Sequence, residues 1–247
     1  MEQENLYNKI QELLGNLRGN FNILEEQIDI DVQMEYFELS KDSKKTLDIE
    51  RTLNIQDSLF SEDFSLEQKK KLIVKLACID KVEAFRILER YRKNPDPELK
   101  DWAALAMQES KMLLESSLLD ENQVFISTGL GGKGLKLRYF IVFLTKGNIT
   151  LSDLQKKIVN TEVNFVFKKY GAEIEKINFS NNFATIKTII PIQVQLNEMF
   201  EQTIENCNQF GDFLQINFIV TNVKELSIEE ITQVLETSKF PGNEEMK

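Results

Sequence analysis

The chain contains no histidine. That removes imidazole general bases, Ser-His and Cys-His nucleophile pairs, and histidine-rich metal sites. Carboxylate-only, lysine-based or carboxylate–metal chemistry survives, and a non-catalytic protein is the expectation. Cysteine is scarce as well. Cys78 and Cys207 stand far apart and outside any Cys-x-x-Cys spacing, so neither a disulfide scaffold nor a structural zinc site is expected. Long apolar runs are missing: none exceeds the six residues of Tyr139–Leu144, against the ~20 that span a bilayer. The opening residues, Met-Glu-Gln-Glu-Asn, are acidic and polar, and no secretory signal is expected. These absences predict a cytoplasmic protein with no membrane contact, no metal and no cofactor.

What is present suits a globular chain. Its 247 residues, 42% hydrophobic and 28% charged, suffice for one large domain or two ordinary ones. The net charge of −10 is unevenly spread: residues 1–123 carry −9, residues 124–191 carry +6 and residues 192–247 carry −7. An acidic chain with one basic segment is not a general polyanion binder. The segment suits either a local anionic partner or the protein's own acidic surface.

Residues 3–18 place Leu6, Ile10, Leu13, Leu14 and Leu17 at helical spacing. Ile28, Ile30, Val32, Met34 and Tyr36 alternate with polar residues, which predicts a strand, with a hairpin around Lys41–Lys45. Asp29, Asp31 and Glu35 then share a strand face as a carboxylate cluster, read as solvated rather than as a cation site. Ser65 with Gln68 forms a capping box opening a helix with Leu72, Leu76 and Ile79 on one face. A second helix carries Val82, Phe85, Leu88 and Tyr91 and ends at Asn94-Pro95-Asp96-Pro97. A third begins near Pro97 with Leu99, Trp102, Ala103, Ala106 and Leu113 inward. The stretch Lys81-Val-Glu-Ala-Phe-Arg-Ile-Leu-Glu-Arg to Asp96-Pro-Glu-Leu-Lys-Asp-Trp-Ala-Ala-Leu-Ala resembles a HEAT repeat. The resemblance covers about residues 65–117 and implies antiparallel helices across a short Asp/Pro turn, with small alanines at the close contact.

After Asp120-Glu121-Asn122 the periodicity changes to alternation. Val124–Thr128 and Leu137–Thr145 read as two strands around a glycine-rich loop. Ser152 with Gln155 caps a helix to about Lys169. Glu173–Phe179 and Phe183–Ile190 form a hairpin. Leu196, Met199, Phe200, Ile204, Cys207 and Phe210 make a helical stripe, Leu214–Val220 a last strand, and Ser227 with Glu230 caps a final helix. From Leu137 onward the order βαββαβ resembles the ferredoxin-like sandwich, with Val124–Thr128 added as a preceding hairpin strand. The fold class is therefore α+β. The expected divisions are an N-terminal helix and uncertain segment (1–60), a HEAT-like helical domain (61–120), a ferredoxin-like domain (121–238) and a disordered tail (239–247).

Residues 127–138, Ser-Thr-Gly-Leu-Gly-Gly-Lys-Gly-Leu-Lys-Leu-Arg, hold four of the chain's ten glycines within six positions. Gly129-x-Gly131-x-x-Gly134 formally matches the dinucleotide fingerprint, but a strand follows it where a helix N-terminus must hold the pyrophosphate. The Walker pattern fails at Ser127 and Gly134, and Lys136 occupies the valine position of a kinase glycine loop. Gly129, Gly131, Gly132, Lys133, Gly134, Lys136 and Arg138 are thus the candidate partner-binding residues. Glycines can expose backbone donors, and Lys136 and Arg138 project from one strand face. Tyr139, Phe140 and Phe143, which an RNA-recognition module would use for stacking, are read as core. Cys78, Cys207 and Trp102 are read as buried packing residues. The expected function is a non-catalytic adaptor or assembly protein, holding another macromolecule through the helical pair and the basic hairpin. The alternative is an RNA-binding or phosphate-ligand-binding module using residues 124–191.

Overall fold

A computed structural model describes residues 21–119, 123–180 and 182–237. The helix expected over residues 3–18, the junction Asp120–Asn122 and the tail 239–247 lie outside the described residues. The fold is α+β, in two compact units, Met1–Gly134 and Leu135–Lys247.

The first unit is built from helices. After strand β1 (Phe21–Ile23) come α1 (Ile30–Lys45), α2 (Ile49–Asn54), a 3-10 turn (Gln56–Phe60), α3 (Leu66–Ala77), α4 (Val82–Arg92) and α5 (Lys100–Leu119). The capping box at Ser65 and Gln68 forms as expected, and Pro97 opens a 3-10 turn leading into α5. Leu72, Leu76, Leu88, Tyr91, Trp102, Ala103 and Ala106 share one core, with the Tyr36 and Trp102 rings edge-on at 5.6 Å. The alternation at residues 28–36 does not form a strand. Asp29 instead N-caps α1, accepting from the Asp31 N–H at 2.8 Å, and Lys41–Lys45 end that helix rather than turning a hairpin. The buried side of α1 is Gln33, Tyr36, Ser40 and Ser43, a helical stripe of polar residues that a search for apolar periodicity passes over.

Strand β2 (Val124–Ile126) also departs from expectation. It pairs in parallel with β1, Phe21 opposite Val124 and Ile23 opposite Ile126, and so belongs to the helical unit. A two-residue strand β3 (Gly132–Lys133) follows, and the units divide after Gly134.

The second unit contains β4 (Lys136–Thr145), α6 (Asp153–Lys169), β5 (Glu173–Phe179), β6 (Phe183–Pro191), α7 (Leu196–Asn208), β7 (Leu214–Thr221) and α8 (Ile228–Thr237). Within it β5 pairs with β6, β6 with β4 and β4 with β7, all antiparallel. The spatial order β5-β6-β4-β7 with the chain order βαββαβ is the ferredoxin-like arrangement. Ile141, Phe143, Ala184, Ile186 and Ile190 meet Val163, Phe167, Met199, Phe200 and Ile204 of α6 and α7 in one core.

Candidate functional site

The glycine stretch is a packed turn. Gly129, Leu130, Gly131 and Gly132 are buried, while Lys133 and Gly134 are exposed. The Gly131 N–H donates to the Thr128 carbonyl at 3.1 Å, and the Thr128 hydroxyl donates to the Gly131 carbonyl at 3.2 Å. From α1, the Gln33 carboxamide donates to the carbonyls of Ile28 and Thr128. Gly131 has φ +68°, and a Cβ there would lie 2.4 Å from the Glu26 carbonyl oxygen and 2.5 Å from that of Glu25. Only glycine allows this approach of two backbones. The Gly134 N–H, the exposed donor of the turn, is taken by the Glu25 carboxylate at 2.9 Å.

In the second unit, Lys136 and Arg138 start β4 and reach across β6 to carboxylates on β5. Lys136 Nζ lies 2.8 Å from Glu173, and Arg138 forms a two-pronged pair with Glu175 at 2.8 and 3.0 Å. Lys146 pairs with Asp212 and Lys187 with Glu225, so part of the basic segment is neutralised by the acidic segment that follows it. Phe140 and Phe143 are buried, as core residues should be, and neither offers a face for base stacking.

The other sequence candidates also have structural partners. Asp29 is a helix cap and Glu35 pairs with Lys70 at 3.0 Å. Among the described residues no group of three His, Cys, Asp or Glu could hold a metal ion. Both cysteines are buried and free. Burial pushes the Cys78 thiol up and the Cys207 thiol up to about 12, so each stays protonated at neutral pH.

A further surface, at the β7 edge of the second unit, escaped the sequence reading. Among the described residues β4 is the one strand partner of β7. The Thr145 N–H turns toward the β6 side, to Asn182. Alternation then directs the backbones of Phe140 and Val142 toward β7, making Ile219 and Thr221 its ladder residues. The backbone groups of Phe218 and Val220 therefore point away from the sheet, while Ile216 lies in a register irregularity between Phe218 and Leu214. At Leu214 the same outward groups are capped by the Asn208 carboxamide at 2.8 and 2.9 Å, and the cap ends there.

Natural edge strands are guarded by charge, proline or bulges. The opposite edge, β5, has Glu173, Glu175, Lys176 and a register irregularity between Ile174 and Lys176. Strand β7 reads Leu-Gln-Ile-Asn-Phe-Ile-Val-Thr, without a charge; it has a register irregularity of its own between Phe218 and Leu214, and Ile216 within it is 71% exposed. Beside it runs a groove of about 680 Å³, floored by Ile204 and Ile216 and walled by Glu201, Glu205 and Asn208 of α7. The available sequence signal was the lack of charge in the last strand of a βαββαβ order, which lies at an edge.

No family model matches the chain, and no curated protein matches it. A solved structure from Deinococcus radiodurans R1, described as a "putative transposase", is similar at 16% identity over 42% of this chain and 94% of that one, with a TM-score of 0.36. A likeness of that degree carries no argument about function. Among the described residues no helix is long and apolar enough to cross a membrane.

Proposed function

We propose that the protein is a non-catalytic adaptor that holds another protein by adding one of its strands to the sheet at β7. The observation that carries this reading is the outward backbone of Phe218 and Val220 on an uncharged edge, beside an open groove lined by exposed Ile216. An extended segment placed there gains main-chain hydrogen bonds, and side-chain pockets supply selectivity. The hairpin Gly129–Gly134 is less suited to be the main contact, because its glycines serve packing and Gly134 already has an acceptor. Lys136 and Arg138 are likewise engaged with Glu173 and Glu175, which weakens the RNA and phosphate alternatives. The helix pair α4–α5, HEAT-like in sequence, remains available as a second protein-binding surface. The scarcity of cysteine, with Cys78 and Cys207 far apart in the sequence, supports a cytoplasmic setting.

Affinity purification from the native cell tests the reading when wild type is compared with Ile216→Lys and with Lys133→Glu. The expected outcome is a copurifying protein that is lost from Ile216→Lys, kept by Lys133→Glu and insensitive to ribonuclease. Loss from Lys133→Glu alone, or copurification of RNA in place of protein, would overturn it.

A further inference from the structure

The wall of the groove specifies what kind of strand fits the edge. Helix α7 carries Glu198, Glu201 and Glu205 and no basic residue. Glu201 and Glu205 are exposed and line the groove with Ile204 and Ile216. Asp212, also lining it, is already paired with Lys146, and among the described residues Glu201 and Glu205 have no ion-pair partner. Phe218 stands opposite Phe143 and Val220 opposite Ile141, both core residues on the helix side of the sheet. The side chains of Ile216, Phe218 and Val220 therefore share the face on which α7 lies, and the Phe218 ring stands 5.1 Å from that of Phe200.

A strand added beyond β7 would put its alternate side chains on this face, one of them between exposed Ile216 and the two free carboxylates. An aliphatic residue there would cover Ile216 and leave the acids unanswered, and an acidic residue would be repelled. Lysine and arginine do both tasks, with the stem lying along Ile216 and the head reaching Glu201 or Glu205. On the opposite face the segment's neighbours would be Asn217, Ile219 and Thr221, which suit β-branched residues. A second copy of this chain is the poorer occupant, because antiparallel pairing of two β7 strands brings two α7 acid walls to one groove.

We infer that the β7 edge receives an extended segment of a partner protein in which lysine or arginine alternates with β-branched residues. The inference rests on the strand-addition reading and adds to it the chemistry of the partner.

The test uses the full chain and four blocked, fluorescein-labelled octapeptides, with binding followed by anisotropy. One peptide alternates lysine with valine, the second glutamate with valine and the third threonine with valine. The fourth is the lysine–valine peptide with its backbone amides N-methylated, which keeps the charge and removes strand pairing. Lysine–valine should bind, and the glutamate and N-methylated peptides should not. Glu201→Gln with Glu205→Gln should weaken lysine–valine binding about tenfold. Ile216→Lys should abolish it with an unchanged circular dichroism spectrum.

If threonine–valine bound as tightly as lysine–valine and Ile216→Lys abolished both, the basic class of partner would be wrong and strand addition would stand. If the N-methylated peptide bound as tightly as its parent, or Ile216→Lys changed nothing, both readings would fall. Absence of binding by every peptide would overturn the inference. So would a concentration-dependent dimer, seen by light scattering and lost in Ile216→Lys, which would assign the edge to a second copy.

Discussion

Gly131 and Gly134 both have positive φ, at +68° and +57°, yet their surroundings differ. A Cβ at Gly134 would meet nothing within 4 Å, whereas at Gly131 it would run into the carbonyls of Glu25 and Glu26. Gly134→Ala should therefore cost only the left-handed backbone penalty, about 1 kcal/mol. Gly131→Ala adds a clash between two backbones, neither of which can rotate away, and should cost about 3 kcal/mol. Urea denaturation followed by the fluorescence of Trp102, the single tryptophan and buried in this unit, measures both. Equal losses would show that the packing against Glu25 and Glu26 is not what the glycine serves. The sequence displayed the density of glycines plainly. It could not show which of them met another backbone, because that neighbour lies about a hundred residues earlier in the chain.

Helix α1 shows why one element was legible as another. Its buried stripe is held by polar partners. Tyr36 and Ser40 donate to Glu109 of α5 at 2.7 Å each, and Lys44 forms an ion pair with the same carboxylate. With the helical signal carried by hydrogen bonds, the accidental alternation of Ile28 to Tyr36 dominated the pattern. Helices α3 to α7 and strands β4 to β7 were readable because their inward positions are apolar, with capping boxes opening α3 and α6. The edge position of β7 was implicit in the βαββαβ order, but its outward backbone phase depends on the turn of Thr145 toward Asn182.

A comparable polar junction ties α3 to the turn before α5. Lys69, with 8% of its side chain exposed, pairs with Asp96 at 2.9 Å, and the Tyr91 hydroxyl donates to the same carboxylate. The Tyr91 hydrogen bond first, and then the Lys69 ammonium, hold the Asp96 carboxyl below its ordinary 3.8. A depressed carboxyl stabilises the fold above the unfolded value, near pH 4, and loses that contribution as pH falls through the folded value. Asp96→Asn strands a buried ammonium, and with Asp96 itself 29% exposed the cost at pH 7 should be about 2 kcal/mol. Denaturation at pH 7 and pH 2.5 should show the deficit shrinking in acid. A deficit that stayed constant with pH would contradict the assignment.

For the molecule as a whole, the charge pattern that suggests an anionic partner has a partial internal explanation in the second unit: the +6 of residues 124–191 already includes Glu173 and Glu175, and the pairs to Asp212 and Glu225 lower it to +4. Lys136 and Arg138 meet Glu173 and Glu175, Lys146 meets Asp212 and Lys187 meets Glu225. Pairing of this kind satisfies part of a basic segment without any ligand, and a tally of charge along the sequence cannot separate that outcome from a phosphate-binding surface. Among the described residues the uncharged edge at β7 has no strand partner beyond β4. The account's central claim is that another protein occupies that edge, and site-specific photo-crosslinking in the native cell tests it most directly. A benzophenone side chain replacing Ile216 should capture one protein reproducibly, and the same group replacing Lys133 should capture none. Capture at Lys133 with nothing at Ile216 would contradict the account and return the partner-binding role to the glycine-rich hairpin.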